Sequence, residues 1–111
     1  MKVKAILIDA IEKKISDIEF EDGNIGEMYR LLKCDCFCLA GNVKGNVAYV
    51  DDEGLLKNPK FFFRWPGHSD LLAGNGIIMG PLDDEGNHCN VTFTAQDMKP
   101  YIEFVTSRDL S

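Results

Sequence analysis

Alternation of apolar and polar positions dominates the first twenty residues. Val3 to Ala10 is rich in β-branched residues and Leu and is bounded by charge, which predicts a strand. Ile15, Ile18 and Phe20, with polar residues between them, predict a second strand over Lys14 to Glu21. Asp9 to Lys13 can turn between the two, giving a hairpin that Asp22-Gly23 ends. The period then lengthens. Asn24-Ile25-Gly26-Glu27 has capping-box spacing, with Asn24 as the cap and Glu27 placed to reach back to its N–H. Met28, Leu31 and Leu32 then share one helical face, so a short helix should run to about Leu32, weakened by Gly26.

Alternation returns at Cys34 to Ala40, a third strand. Gly41-Asn42 and Gly45-Asn46 are turn signals, and Val47 to Val50 should pair back as a hairpin. Asp51-Asp52-Glu53-Gly54 reads as a turn with Leu55-Leu56 tucked beneath it. Ile77 to Leu82 and His88 to Thr94, separated by the turn Asp83 to Asn87, predict a second hairpin. Asp97 can cap a final helix reaching about Thr106, with Pro100 in its first turn; Thr94 is the alternative cap, but it would place Pro100 too deep. The expected fold class is therefore α+β: a mostly antiparallel sheet of five or six strands with two helices on one face.

Composition narrows the function classes. At 111 residues the chain should be one domain, long enough for one core without staples. The formal charge of −6 repels DNA, RNA and anionic membranes in the far field, so no direct nucleic-acid or membrane partner is expected. The N-terminus shows no signal-peptide pattern, and no apolar run approaches a membrane span. With Cys34, Cys36 and Cys38 at alternate positions, neighbours are poorly placed to bridge, and reduced thiols in a cytoplasm are the expectation.

Those cysteines with His88 and Cys89 raise the question of zinc. On a strand, C-x-C-x-C spreads its thiols over roughly 13 Å at about 3.3 Å per residue, so at most two reach one ion. Buried small hydrophobes are the simpler reading, and no metal or cofactor is expected. Neither acidic cluster, Asp51 to Glu53 or Asp83 to Glu85, has the alternating oxygens and distal Glu of a calcium loop. No nucleophile elbow, zincin helix or Walker loop occurs. A hydrolase using His68 with Asp70 or the Asp51 to Glu53 cluster is the weakest of the function readings.

Residues 57–68 stand apart. They carry Lys57, Lys60, Arg64 and His68 with no Asp or Glu, interleaved with Phe61, Phe62, Phe63 and Trp65. Consecutive aromatics cannot all face one core, so some should be exposed unless a partner or second subunit covers them. Three readings follow: a hydrophobic plug with snorkelling charges, a protein interface including a homodimer, or a pocket for a small anionic ligand. In the last, Arg64 and Lys60 would hold phosphates, Trp65 or Phe63 would stack a base, and Gly74-Asn75-Gly76 would let the backbone approach.

The opening I-D-A, the segment YVDDEGLL at residues 49–56 and the later small-residue strand IIMG resemble an uncharacterised family of small proteins from phages, prophages and plasmids, with a Y-V-x-x-E-G-L-L motif. Ala10 stands where that pattern has Pro, and the FFFRWPGH loop departs from it. The resemblance implies context rather than activity: such proteins often counter host defences, by binding a host protein or by sequestering a nucleotide signal. The function expected is thus a non-enzymatic binding protein in the host cytoplasm, acting through Lys57, Lys60, Phe61, Phe63, Arg64, Trp65, His68 and Asn75.

Overall fold

The structure, a computed structural model, describes residues 2–110, apart from the side chains of Leu55 and Leu110. Its strands are β1 (Lys2–Asp9), β2 (Lys14–Glu21), β3 (Phe37–Val43), β4 (Asn46–Asp51), β5 (Phe61–Arg64), β6 (Leu72–Ala73), β7 (Gly76–Met79) and β8 (Glu103–Thr106). The helices are α1 (Ile25–Leu32) and α2 (Ala95–Met98). The strands form a five-stranded sheet, ordered β2-β1-β7-β4-β3, and a three-stranded sheet, ordered β6-β5-β8. Every pairing between them is antiparallel.

The β1–β2 hairpin runs in unbroken register from Lys2↔Glu21 to Asp9↔Lys14. Its turn is held by Asp9 Oδ1, which accepts from the Ile11 and Glu12 amides at 3.1 and 3.0 Å. Asn24 caps α1, accepting from the Glu27 amide at 3.2 Å, while the Glu27 carboxylate turns forward to Arg30 instead of back to the cap. β7 is buried at all four positions because it sits between β1 and β4 with both faces covered.

Alternation along the strands divides the core. Val3, Ala5, Ile77 and Met79 point to one face and pack with Phe20 and with Met28 and Leu32 of α1. Ile6, Ile8, Ala48, Val50 and Ile78 point to the other, under Phe63, Trp65 and Leu72 of the small-sheet region and Ala95 and Met98 of α2. The α+β class stands, but the two helices lie on opposite faces of the large sheet rather than on one. The apolar residues on the second face need cover as well, and α2 with the small sheet supplies it.

Three further expectations are corrected. Ile77 to Leu82 and His88 to Thr94 do not form a hairpin; Leu82 and His88 share an isolated bridge. A wholly apolar strand gains two partners by entering between β1 and β4. β7 is too short to pair the whole of β1, so Asn90 and Val91 complete it: Lys4 N donates to Asn90 Oδ1 at 2.8 Å and Val91 N to Lys4 O at 3.0 Å. Gly80 permits the crossing, since a Cβ there would meet the Cys89 and Asn90 carbonyls. Second, Thr94 caps α2 in a reciprocal capping box with Asp97. The difficulty with Pro100 is resolved by length: α2 stops at Met98, Pro100 falls in a 3₁₀ turn (Lys99–Tyr101), and the expected helix end is strand β8. Third, the strand placed at Cys34 begins at Phe37. Leu56, on the 3₁₀ turn Gly54–Lys57, is 83% exposed rather than tucked in, and the Leu55 side chain lies outside the described residues.

Candidate functional site

The aromatic run resolves by strand period. In β5, Phe61 and Phe63 alternate toward the large sheet, followed by Trp65, while Phe62 turns to a separate small cluster with Ala73 and Val105. Phe63 and Trp65 are 0% and 2% exposed. Trp65 Nε1 donates to the buried Ala40 carbonyl at 2.8 Å, and the indole lies over Gly67, where any Cβ would strike it. Of the three readings of the run, these contacts agree with the plug, and the expectation that some of its aromatics are exposed is corrected: Phe63 and Trp65 close the core between the sheets and offer no free face for a base or a partner. Of the run, Phe61 alone is left half-buried.

The cations separate too. Arg64 pairs across strands with Glu103 at 3.2 Å, both well exposed, an arrangement that contributes little to stability. His68 faces another groove, its Nδ1 accepting from the Asp70 amide at 3.2 Å. Lys57, Lys60, Phe61 and Asn75 do come together. They line a cleft of about 190 Å³ with Lys33, Asp51, Gly74 and Ile11. Lys57 Nζ meets Asp51 Oδ2 at 2.8 Å, and that hydrogen bond holds the ammonium above the usual lysine range. Lys33 and Lys60 make no ion pair among the described residues.

Asn75 has a different task from the one read in sequence. It is 3% exposed; its Oδ1 accepts from the Ala10 amide at 3.1 Å and its Nδ2 donates to the Leu31 carbonyl at 3.2 Å. It thus ties the β1–β2 turn to the end of α1 and shapes the wall of the cleft. Lys33 was missed. It terminates α1 in a left-handed conformation (φ 57°), with its amide bonded to the Tyr29 carbonyl. A basic residue just past a helix end was the available signal.

A family model matches residues 1–105. The chain belongs to the DUF3846 family, a domain of unknown function. No curated protein and no solved structure matches it. In this DUF3846 chain the cleft is bounded by the segment YVDDEGLL at residues 49–56: Asp51 supplies the carboxylate to Lys57, and Gly54 opens the turn between them.

The cysteines do not converge. Cys34 is buried, Cys38 half-buried, and Cys36 and Cys89 exposed; among the described residues no group of three or more His, Cys, Asp or Glu could hold a metal. Burial pushes the Cys34 thiol up; burial, then a hydrogen bond with Asp52, does the same for Cys38. Since the thiolate is the nucleophile, iodoacetamide at pH 8 should label Cys36 and Cys89 at least about tenfold faster than Cys34 and Cys38. Peptide mass spectrometry over a time course checks this, and equal rates at all four would contradict the packing described.

His88 is engaged at both nitrogens. It is 8% exposed; Nδ1 donates to the Gly80 carbonyl at 2.7 Å, which leaves Nε2 to accept from the Tyr49 hydroxyl at 2.9 Å. Its amide donates to Asp22 Oδ2 at 2.8 Å. Burial, with Asp22 nearby, pushes the Tyr49 phenol up, so the hydroxyl keeps its proton for this bond.

Proposed function

We propose that this DUF3846 protein is a non-enzymatic binding protein whose ligand is a small phosphate-bearing anion held in the cleft of Lys33, Lys57 and Lys60. One observation carries the reading: three lysines from separate elements line one cleft of a chain with a formal charge of −6, and the one carboxylate lining it among the described residues is already paired with Lys57. Lys33 and Lys60 supply the charge, and half-buried Phe61 supplies an apolar edge for a base, in place of Phe63 and Trp65. The histidines support a non-enzymatic role, since His88 is engaged at both nitrogens and His68 by its own loop. The resemblance to phage and mobile-element proteins favours sequestration of a nucleotide signal over a metabolic task. A host-protein contact through the loop aromatics has less support, because Phe62, Phe63 and Trp65 are buried in the fold.

A ligand that binds only the folded state stabilises it by about 2.7 kcal/mol at a hundredfold excess over Kd. Thermal unfolding against mono-, di- and cyclic nucleotides should therefore raise Tm for one class, and Lys33→Glu/Lys60→Glu should remove that shift while the ligand-free circular dichroism spectrum stays that of the natural protein. A flat response of the natural protein across the panel would sink the reading.

A further inference from the structure

A second groove adjoins the cationic cleft. It measures about 230 Å³, and the two share Asp51 and Ala73 in their walls. Its lining is of the opposite sign: Asp52 and Asp70 stand at it with His68, and among the described residues no lysine or arginine does. It also gathers two of the most exposed large apolar side chains, Leu56 at 83% and Leu39 at 59%. On the cationic side, Ile11 is 42% exposed. The 3₁₀ turn Gly54–Lys57 borders both, with Leu56 lining the acidic groove and Lys57 the basic cleft.

A two-fold interface must be self-complementary, because the same patch meets itself reversed. This surface meets that condition. We propose that a second copy of this chain docks here, forming a homodimer about an axis through the 3₁₀ turn. Leu56 packs against its counterpart near the axis. Lys33 and Lys60 of each protomer face Asp52 and Asp70 of the other. Opposite charges on either side of an apolar centre set the orientation, and withdrawing the leucines from water drives the association. Of the loop aromatics from which self-association was expected, Phe62, Phe63 and Trp65 take no part, being inside the protomer.

Charge exchange tests this. Native mass spectrometry and analytical ultracentrifugation, nucleotide-free and at low salt, should find the natural protein dimeric at micromolar concentration. Leu56→Glu should weaken dimerisation at least about a hundredfold while the circular dichroism spectrum stays native, since the side chain is exposed, and Tm should fall only by the lost contribution of the partner. Lys33→Glu/Lys60→Glu and Asp52→Lys/Asp70→Lys should each be monomeric alone but should form a heterodimer when mixed, and adding Leu56→Glu to either should abolish that pairing. A natural protein that stays monomeric overturns the proposal, as does a Leu56→Glu variant that dimerises normally or a mixture that fails to pair. Ligand and partner would share two lysines, so nucleotide binding is measured separately on the Leu56→Glu monomer; failure of either reading leaves the other standing.

Discussion

Trp65→Ala should destabilise the protein by about 3–5 kcal/mol, the range for removing a large aromatic from a packed core. The indole is 2% exposed and closes the space between the two sheets with Phe63, Leu72 and Met98. Its loss also strips the donor from the buried Ala40 carbonyl. Trp65→Phe separates the two effects: most of the packing remains, and the orphaned carbonyl should cost about 1–3 kcal/mol. Urea titration followed by circular dichroism gives both values, since the chain's one tryptophan is lost in either variant and fluorescence cannot serve. A Trp65→Ala midpoint close to that of the natural protein would mean that the indole is not a core residue, and would return the loop to the list of binding surfaces.

Gly76→Ala is the second large effect, and its sign is unusual. Alanine suits a strand better than glycine does, and the backbone at Gly76 is not left-handed, so local propensity favours the change. Packing opposes it: the new Cβ would lie 2.6 Å from Phe63 Cζ and 3.1 Å from Cε1. Phe63 is fully buried above the centre of the large sheet, where Gly76 pairs with Ile8 on one side and Val50 on the other. Overpacking of this kind costs about 1–3 kcal/mol. In a Phe63→Leu background the same substitution should cost distinctly less, and the difference is the coupling of the pair. Equal penalties in the two backgrounds would show that the ring is not what excludes the methyl.

How far the sequence could be read follows from these contacts. The β1–β2 hairpin, α1 and the β3–β4 pair were legible because each is built from neighbours in the chain, with its own turn or cap. The second hairpin was misread because alternation in His88 to Thr94 says nothing about which partner is missing one. β1 spans eight residues and β7 four, so the unpaired end of β1 selects Asn90 and Val91. The Phe run was misread because one core was assumed, whereas Phe62 has a small cluster of its own. Lys57 and Lys60 were legible as a charge anomaly. Lys33 was legible only as a basic residue past a helix end; that α1 carries it to the same cleft was not. Asn75 was marked for its place between two glycines, and its real task depends on Ala10 and Leu31, which no local pattern links to it.

The place of β7 in the large sheet has a consequence for how the chain acquires its structure. The two hairpins that flank it can close early, for each joins residues close in sequence. They cannot join one another, because the strand that unites them lies at residues 76–79 and the segment that completes β1 lies later still. Until then Ile6 and Ile8 on one hairpin and Ala48 and Val50 on the other do not share one sheet face for the small sheet and α2 to cover. Formation of the central sheet should accordingly be the slow, concerted step of folding, set by the long loop that must close before β7 is gripped from both sides. A nascent chain halted before Gly76 would hold two sticky hairpins and no core, and would be material for proteases and chaperones.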